Sequence, residues 1–325
     1  MIILSHDDVA DLLPMHEAIE AVEATMKQVS RGTATLPLRS AIPVGGNNKM
    51  GVMPGAIADP ACFGVKMISL FPDNPARGLS SHRGAMVLFE SDTGGAIAMM
   101  DASLLTAIRT AAASAVATRA LAQSSASHLA IVGTGEQAQH HLDAMMCVRK
   151  IARLTIAGRS ADKTAAFAAR AAERYPNLDI SHGIDIEAAM AGADIVCTVT
   201  ASPTSIVKGD WVAQGAHVNI VGSSIPTMRE VDDQMVILGD IWVDYLPSTL
   251  SQAGEIVDMI KAGTFSAEHL QGEIGAQLTG DIPGRSSPEQ ITIYRSLGIA
   301  AQDLAAAHHV LTRAKAEGRG HYVPF

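Results

Sequence analysis

Aromatic residues are scarce, 4 % of the chain, so the stacked rings on which bases or sugar faces usually rest are largely missing. Cysteine is rarer still. Cys62, Cys147 and Cys197 are odd in number and far apart; they suit neither a disulfide framework nor a zinc site, and a reducing, cytoplasmic compartment is expected. No run approaches the ~20 consecutive apolar residues of a membrane span. Met1-Ile2-Ile3-Leu4 gives way at once to Ser5-His6-Asp7-Asp8, so neither an anchor nor a signal peptide is expected. Positive charge is also short. The 24 Lys and Arg against 33 Asp and Glu leave a net charge of -9, which argues against the basic face of a nucleic-acid binder. What remains is 48 % hydrophobic over 325 residues, the balance of a globular protein long enough for two domains at ~150 residues each.

The first hundred residues read as mixed structure. Asp7–Lys27 carries helical apolar spacing (Val9, Leu12, Leu13, Ile19, Val22, Met26). Short apolar runs at 50–53, 64–70, 85–90 and 96–100, broken by Gly, Pro, Asn and Asp, read as strands, with a hairpin turn at Ser91–Gly95. Ala102–Gln123 is Ala-rich and helical. After Ser124–Ser127 the pattern alternates: strands at 128–132, 154–157, 180–182, 195–200, 217–221 and 241–243, helices at 136–148, 161–175 and 186–190. Apolar strands alternating with helices predict a parallel sheet buried on both faces. A last helix at 304–316 precedes a tail that is expected to return to the first domain. The predicted division is 1–123 with 303–325 against 124–302.

Gly133-Thr134-Gly135-Glu136-Gln137-Ala138 follows one of these strands directly and opens a helix. This is the G-x-G-x-x-A dinucleotide pattern in the βαβ setting it requires: a glycine for the tight turn, another for close approach to pyrophosphate, and Ala138 for helix–strand packing. Gly133, Gly135, Glu136 and Gln137 are therefore candidate cofactor residues. At the end of the second strand stands Ala157-Gly158-Arg159-Ser160, without the acid that would accept from the ribose of NAD. Arg159, Ser160 and Lys163 suit a 2′-phosphate and favour NADP(H). Asp162 keeps NAD(H) as the alternative.

The segments Gly64-Val65-Lys66, Ser81-His82, Thr106–Ala112, Gly133–Ala138, Gly215–Asn219 and Tyr294-Arg295-Ser296-Leu297-Gly298, taken in order, resemble the ornithine cyclodeaminase/mu-crystallin family over nearly the whole chain. The resemblance implies a Rossmann doubly wound parallel sheet plus a mixed α/β substrate-binding and dimerisation domain, in a homodimer. It places Arg39, Lys66 and Arg109 at the substrate carboxylate, with His82 and Ser296 beside the substrate. Ser81, Arg109, Thr110, Thr198, Thr200 and Val221 join the cofactor set. Arg suits a bidentate grip on carboxylate and Lys a point charge. Lys66 lies in the apolar run Phe63–Ile68, where desolvation would lower its pKa towards proton transfer. Arg83 stands where relatives often carry Gln, and is expected to serve the fold or the dimer. The alternative is that it faces the site and, with His82, recognises a polar or second acidic group on the substrate.

One departure points to a branch of that family. Ornithine cyclodeaminases carry an Asp at the position aligned with Ser224, and ketimine reductases resembling mu-crystallin carry a Ser. A neutral hydroxyl is no general base without an activating partner. The expected function is NAD(P)H-dependent reduction of a 2-imino acid such as Δ1-pyrroline-2-carboxylate, with Lys66, Arg109 and Ser224 catalytic and nothing acidic nearby. Cyclodeamination of ornithine with bound NAD, and a small-ligand binding protein of mu-crystallin type, are the alternatives. His140-His141 and His308-His309 lack the i, i+4 spacing of helical metal ligands, so no metal is expected.

Overall fold

The computed structural model describes residues 1–325. In chain order the elements begin β1 (Ile2–Leu4), α1 (His6–Leu12), α2 (Met15–Ser30), β2 (Ala34–Thr35), β3 (Ser40–Gly45), β4 (Asn48–Ala58), β5 (Ala61–Leu70), β6 (His82–Phe89), β7 (Ala96–Asp101) and α3 (Ala102–Leu121). They continue with β8 (His128–Val132), α4 (Glu136–Val148), β9 (Arg153–Ala157), α5 (Ala161–Arg174), β10 (Asp179–Gly183), α6 (Ile186–Met190) and β11 (Ile195–Thr198). Next come β12 (His217–Ile220), α7 (Asp233–Leu238), β13 (Asp240–Val243), α8 (Leu246–Gln252), α9 (Gly254–Ala262), β14 (Leu270–Glu273) and α10 (Ile274–Thr279). The chain closes with β15 (Thr292–Arg295), α11 (Ala300–Glu317) and β16 (His321–Tyr322).

Two compact units result, Met1–Ala112 with Ile299–Phe325, and Ala113–Gly298. The divisions fall at 112/113 and 298/299, not at 123/124 and 302/303. The first lies inside α3, where an unbroken run of Ala, Ser and Val gives the sequence no mark. No helix is long and apolar enough to cross a membrane.

Unit 1 is built on a sheet of order β16-β1-β7-β6-β5-β4-β2, with β3 paired to β4. The tail does return here, as β16 against β1. The expected helix over 7–27 is two helices, α1 and α2. Pro14 supplies no N–H and serves as the N-cap of α2. Along β5 burial alternates, with Cys62, Gly64, Lys66 and Ile68 turned into the core against α11. Two glycines permit that packing. A Cβ at Gly55 would lie 2.9 Å from Ala300 Cβ, and one at Gly64 2.3 Å from the Val87 carbonyl oxygen. The start of α11 therefore lies close over β4 and β5.

Unit 2 is a fully parallel sheet of order β10-β9-β8-β11-β12-β15-β13-β14. Its central strands β8, β11, β12 and β15 are buried at every residue, as helices on both faces require. From β8 the chain runs outward through β9 to β10, then returns to β11 on the other side. The order reverses between β8 and β11, and ligands of such sheets bind outside the strand ends at this switch point.

Candidate active site

Lys66 is the unusual residue of unit 1, a lysine only 1 % exposed on the core face of the sheet. Its strand neighbours on that face are Met53, Met86 and Ile68, an apolar setting that cannot hold an isolated charge. The partner comes from α11. Asp303, fully buried, accepts at Oδ1 from Lys66 Nζ (2.9 Å) and from Arg109 Nε (2.8 Å). Arg109, delivered by α3 and 4 % exposed, also donates through Nη1 to Gln302 Oε1 at 2.8 Å. Gln302 Nε2 in turn lies 3.4 Å from Met26 Sδ.

Burial, then the Arg109 charge, pull the Lys66 ammonium down to about 7, against the opposing pull of Asp303. The half-buried Arg39 lowers it further, which sets its guanidinium within electrostatic reach of Lys66. The three predicted cations thus converge. The expectation of no acid nearby is overturned by Asp303. An Asp just ahead of an apolar helical run reads as a cap, whereas α11 begins three residues earlier and carries Asp303 inside its first turn. The isolated acid amid buried alanines was the available signal.

His82 shares the Lys66 face of the sheet, because Leu70 pairs with His82 and Lys66 with Met86. Desolvation of its ring, then the Lys66 and Arg109 charges, lower the His82 pKa, so the imidazole is neutral at pH 7. Ser81 Oγ lies 2.9 Å from His82 Nδ1, and Ser103 Oγ donates to the His82 carbonyl at 2.6 Å. Arg83, opposite Ser69, lies on the other face. Thr110 follows Arg109 on α3 and is 8 % exposed.

In unit 2 the glycine loop has the conformation its sequence demands. Gly133 sits at φ +126°, where a Cβ would meet the Val199 carbonyl oxygen at 2.9 Å, and its N–H donates to the Ala157 carbonyl at 2.8 Å. Gly135 caps α4 and has open space where a side chain would stand. Exposed Glu136 begins the helix, and Gln137 holds a buried Oε1 with no protein partner. The N-terminus of a 13-residue helix, capped by a glycine with no side chain in the way, suits a pyrophosphate. Arg159 is exposed and makes no hydrogen bond or ion pair. Ser160 caps α5 by accepting from the Lys163 N–H.

The other strand ends are held by an acid that the sequence did not single out. Buried Glu230 accepts from Thr198 Oγ1 (2.9 Å), Thr200 Oγ1 (2.7 Å), Thr200 N (2.6 Å) and Gly222 N (2.6 Å). Burial still raises its pKa despite these four donors. The Thr198 and Thr200 hydroxyls thus point to Glu230, and both residues shape the loop. Val221 is 8 % exposed, its N–H given to the Thr198 carbonyl.

Arg295 Nη2 grips the next turn through the Ser223 carbonyl (2.7 Å) and Oγ (3.0 Å), while Glu255 neutralises the guanidinium. Ser223 is therefore committed and fully buried, whereas Ser224 is half-exposed. Ser296 follows Arg295 and is 1 % exposed, its Oγ without a protein partner. Buried Asp244 fixes that turn by accepting from Leu297 N (2.8 Å) and Gly298 N (2.6 Å).

Comparison with known proteins bears on both units. The model of the ornithine cyclodeaminase/mu-crystallin family matches residues 1–318. A Δ1-pyrroline-2-carboxylate reductase of Bacillus cereus is 32 % identical over 327 residues, covering all of both chains. Among solved structures, Thermococcus litoralis Δ1-pyrroline-2-carboxylate reductase in complex with NADH and L-proline superposes with a TM-score of 0.96 at 31 % identity, over 99 % of this chain and 100 % of that one. An archaeal alanine dehydrogenase dimer with bound NAD gives 0.93 at 30 % identity, over 100 % and 99 %.

Proposed function

The chain belongs to the ornithine cyclodeaminase/mu-crystallin family, and from that premise we propose that it reduces a cyclic 2-imino acid, Δ1-pyrroline-2-carboxylate, to the L-amino acid with a nicotinamide dinucleotide. The observation that carries this reading is the buried arrangement Lys66–Asp303–Arg109, which leaves cationic donors unspent. Arg109 Nη2 has no protein acceptor, and Lys66 Nζ gives one of its three N–H groups to Asp303. These donors, with Arg39, hold the substrate carboxylate.

Reduction of C=N needs a hydride at carbon and a proton at nitrogen. A nicotinamide dinucleotide, when bound, would supply the hydride. Lys66, with a pKa near 7, supplies the proton at a pH where donation costs little. Within unit 1, neutral His82, its Nδ1 tied to Ser81, presents Nε2 to the polar atoms of the substrate. Much of the gain comes from fixing the carbon in register with the hydride donor, which is a matter of orientation. In unit 2, Gly133, Gly135, Glu136 and Gln137 would hold the pyrophosphate, and Thr198, Thr200 and Val221 would border the cofactor.

Mixing protein, reduced cofactor and Δ1-pyrroline-2-carboxylate should consume the near-ultraviolet absorbance of the cofactor and yield L-proline. Ammonia release from ornithine without net change in cofactor, and no imine reduction, would instead identify a cyclodeaminase.

NADP(H) is the preferred cofactor in this reading. Unengaged Arg159, the Ser160 hydroxyl and Lys163 stand together at the end of β9. Arg159→Ala should raise the KM for NADPH roughly tenfold, the size of a lost charge-assisted hydrogen bond, and leave that for NADH nearly unchanged. Equal effects on both cofactors would contradict the assignment. A second copy of the chain is proposed to cover the exposed apolar side chains of unit 1, Leu38, Ile42, Val44 and Phe63. The archaeal alanine dehydrogenase with the same fold is a dimer. A light-scattering mass of one chain would exclude this. Three free cysteines favour a reducing cytoplasm.

A further inference from the structure

Asp303 is half used. Oδ1 carries both hydrogen bonds, from Lys66 Nζ and Arg109 Nε, while Oδ2 is buried with no protein partner. Buried polar atoms are rarely left so, and one at a ligand-binding cluster points to a missing donor. We propose that Asp303 reads the substrate nitrogen: Oδ2 accepts from the N–H of the protonated imine and of the product amine, so the cluster selects 2-imino and 2-amino acids over carboxylates with no hydrogen at that atom. The inference rests on the functional reading above and deepens it.

The charges favour this pairing. Arg109 and the protonated form of Lys66 bring two cations against the one carboxylate of Asp303, and the surplus suits the carboxylate of the substrate. A 2-imino acid, once protonated, carries its cationic N–H one carbon away from that carboxylate. Its two ends thus meet donors and an acceptor that are themselves hydrogen-bonded neighbours. A 2-oxo acid would instead turn a carbonyl lone pair towards Oδ2, which repels it. Asp303 sits in the first turn of α11, where the helix dipole favours an anion. The close approach of Ala300 to Gly55 and of Leu304 to Gly64 fixes the helix in place.

The test is calorimetric binding in the presence of saturating reduced cofactor, under which L-proline does not turn over. L-proline is compared with (S)-tetrahydrofuran-2-carboxylate, which has ether oxygen in place of the ring N–H. Wild type should prefer L-proline by roughly tenfold to a hundredfold, the range of a charge-assisted hydrogen bond. Asp303→Asn should lose that preference, because Nδ2 at the Oδ2 position donates where an acceptor is needed. The affinity of the ether should hold or rise, because its ring oxygen can accept from Nδ2, a result that a merely structural role would not give. Equal weakening of both ligands would overturn the proposal, as would an undiminished preference. A wild type that does not distinguish the two overturns it without any variant. If wild type binds cofactor but neither ligand, the functional reading itself fails and the inference falls with it.

Discussion

Exchange of Lys66 for methionine is expected to lower kcat/KM for Δ1-pyrroline-2-carboxylate by about a thousandfold, the middle of the range for a lost general acid. Methionine matches the length of the lysine stem and suits the side chains of Met53 and Met86 beside it, so the fold should survive. Asp303 keeps its bond to Arg109 in the variant.

The pH profile separates loss of the acid from loss of packing. The Lys66 pKa is lowered to about 7 because burial and the Arg109 charge disfavour the ammonium more than Asp303 favours it. The protonated form is the donor. Wild-type kcat/KM should therefore be flat below that value and fall about tenfold per unit above it, the slope of a single titrating group. In Lys66→Met that alkaline limb should vanish, and any dependence that remains belongs to the substrate. A variant within a few-fold of wild type, or one with the same alkaline limb, would remove Lys66 from the chemistry.

The second large effect is on stability. Glu255→Ala should cost about 3–5 kcal/mol, because it strands the Arg295 guanidinium without its counter-charge. Both side chains are 1 % exposed, so water cannot take over. Surface ion pairs in the same protein, such as Arg313–Glu317, are screened and should matter far less. A loss of that size corresponds to a fall in unfolding midpoint of roughly 10 °C for a unit of this length. The damage should reach the site, since Arg295 also holds the Ser223 carbonyl and hydroxyl. A midpoint within about 2 °C of wild type would show that the pair contributes little, and the Ser223–Ser224 turn would then need another support.

Local patterns were legible in the chain, and long-range ones were not. The strand over 128–132 and the helices over 136–148 and 186–190 stand where periodicity put them. Hydrophobic spacing and a glycine turn act within a few residues of themselves. The break at Pro14 was overlooked because the apolar spacing runs on through it. The acids that organise the site were missed for a different reason. Asp303 meets Lys66 across 237 positions, and Glu230 meets Thr198 across 32. Asp303 is marked only by standing as a lone acid among alanines, a pattern that a helix cap shares, and Glu230 beside Arg229 reads as a charged loop. Lys66 itself was found by an apolar run that a lysine should not occupy, which is a local signal. What stabilises that lysine could be found only in the folded chain.

The grip on the carboxylate is tested most directly by removing that group from the substrate. Initial rates of reduced-cofactor consumption should be measured with Δ1-pyrroline-2-carboxylate and with 1-pyrroline, the same ring without its acid. The carboxylated imine should be reduced at least about a thousandfold more efficiently, because binding energy at a distant group is what orients the reacting carbon. Comparable rates for the two rings would contradict the assignment of Arg39, Lys66 and Arg109 as its holders.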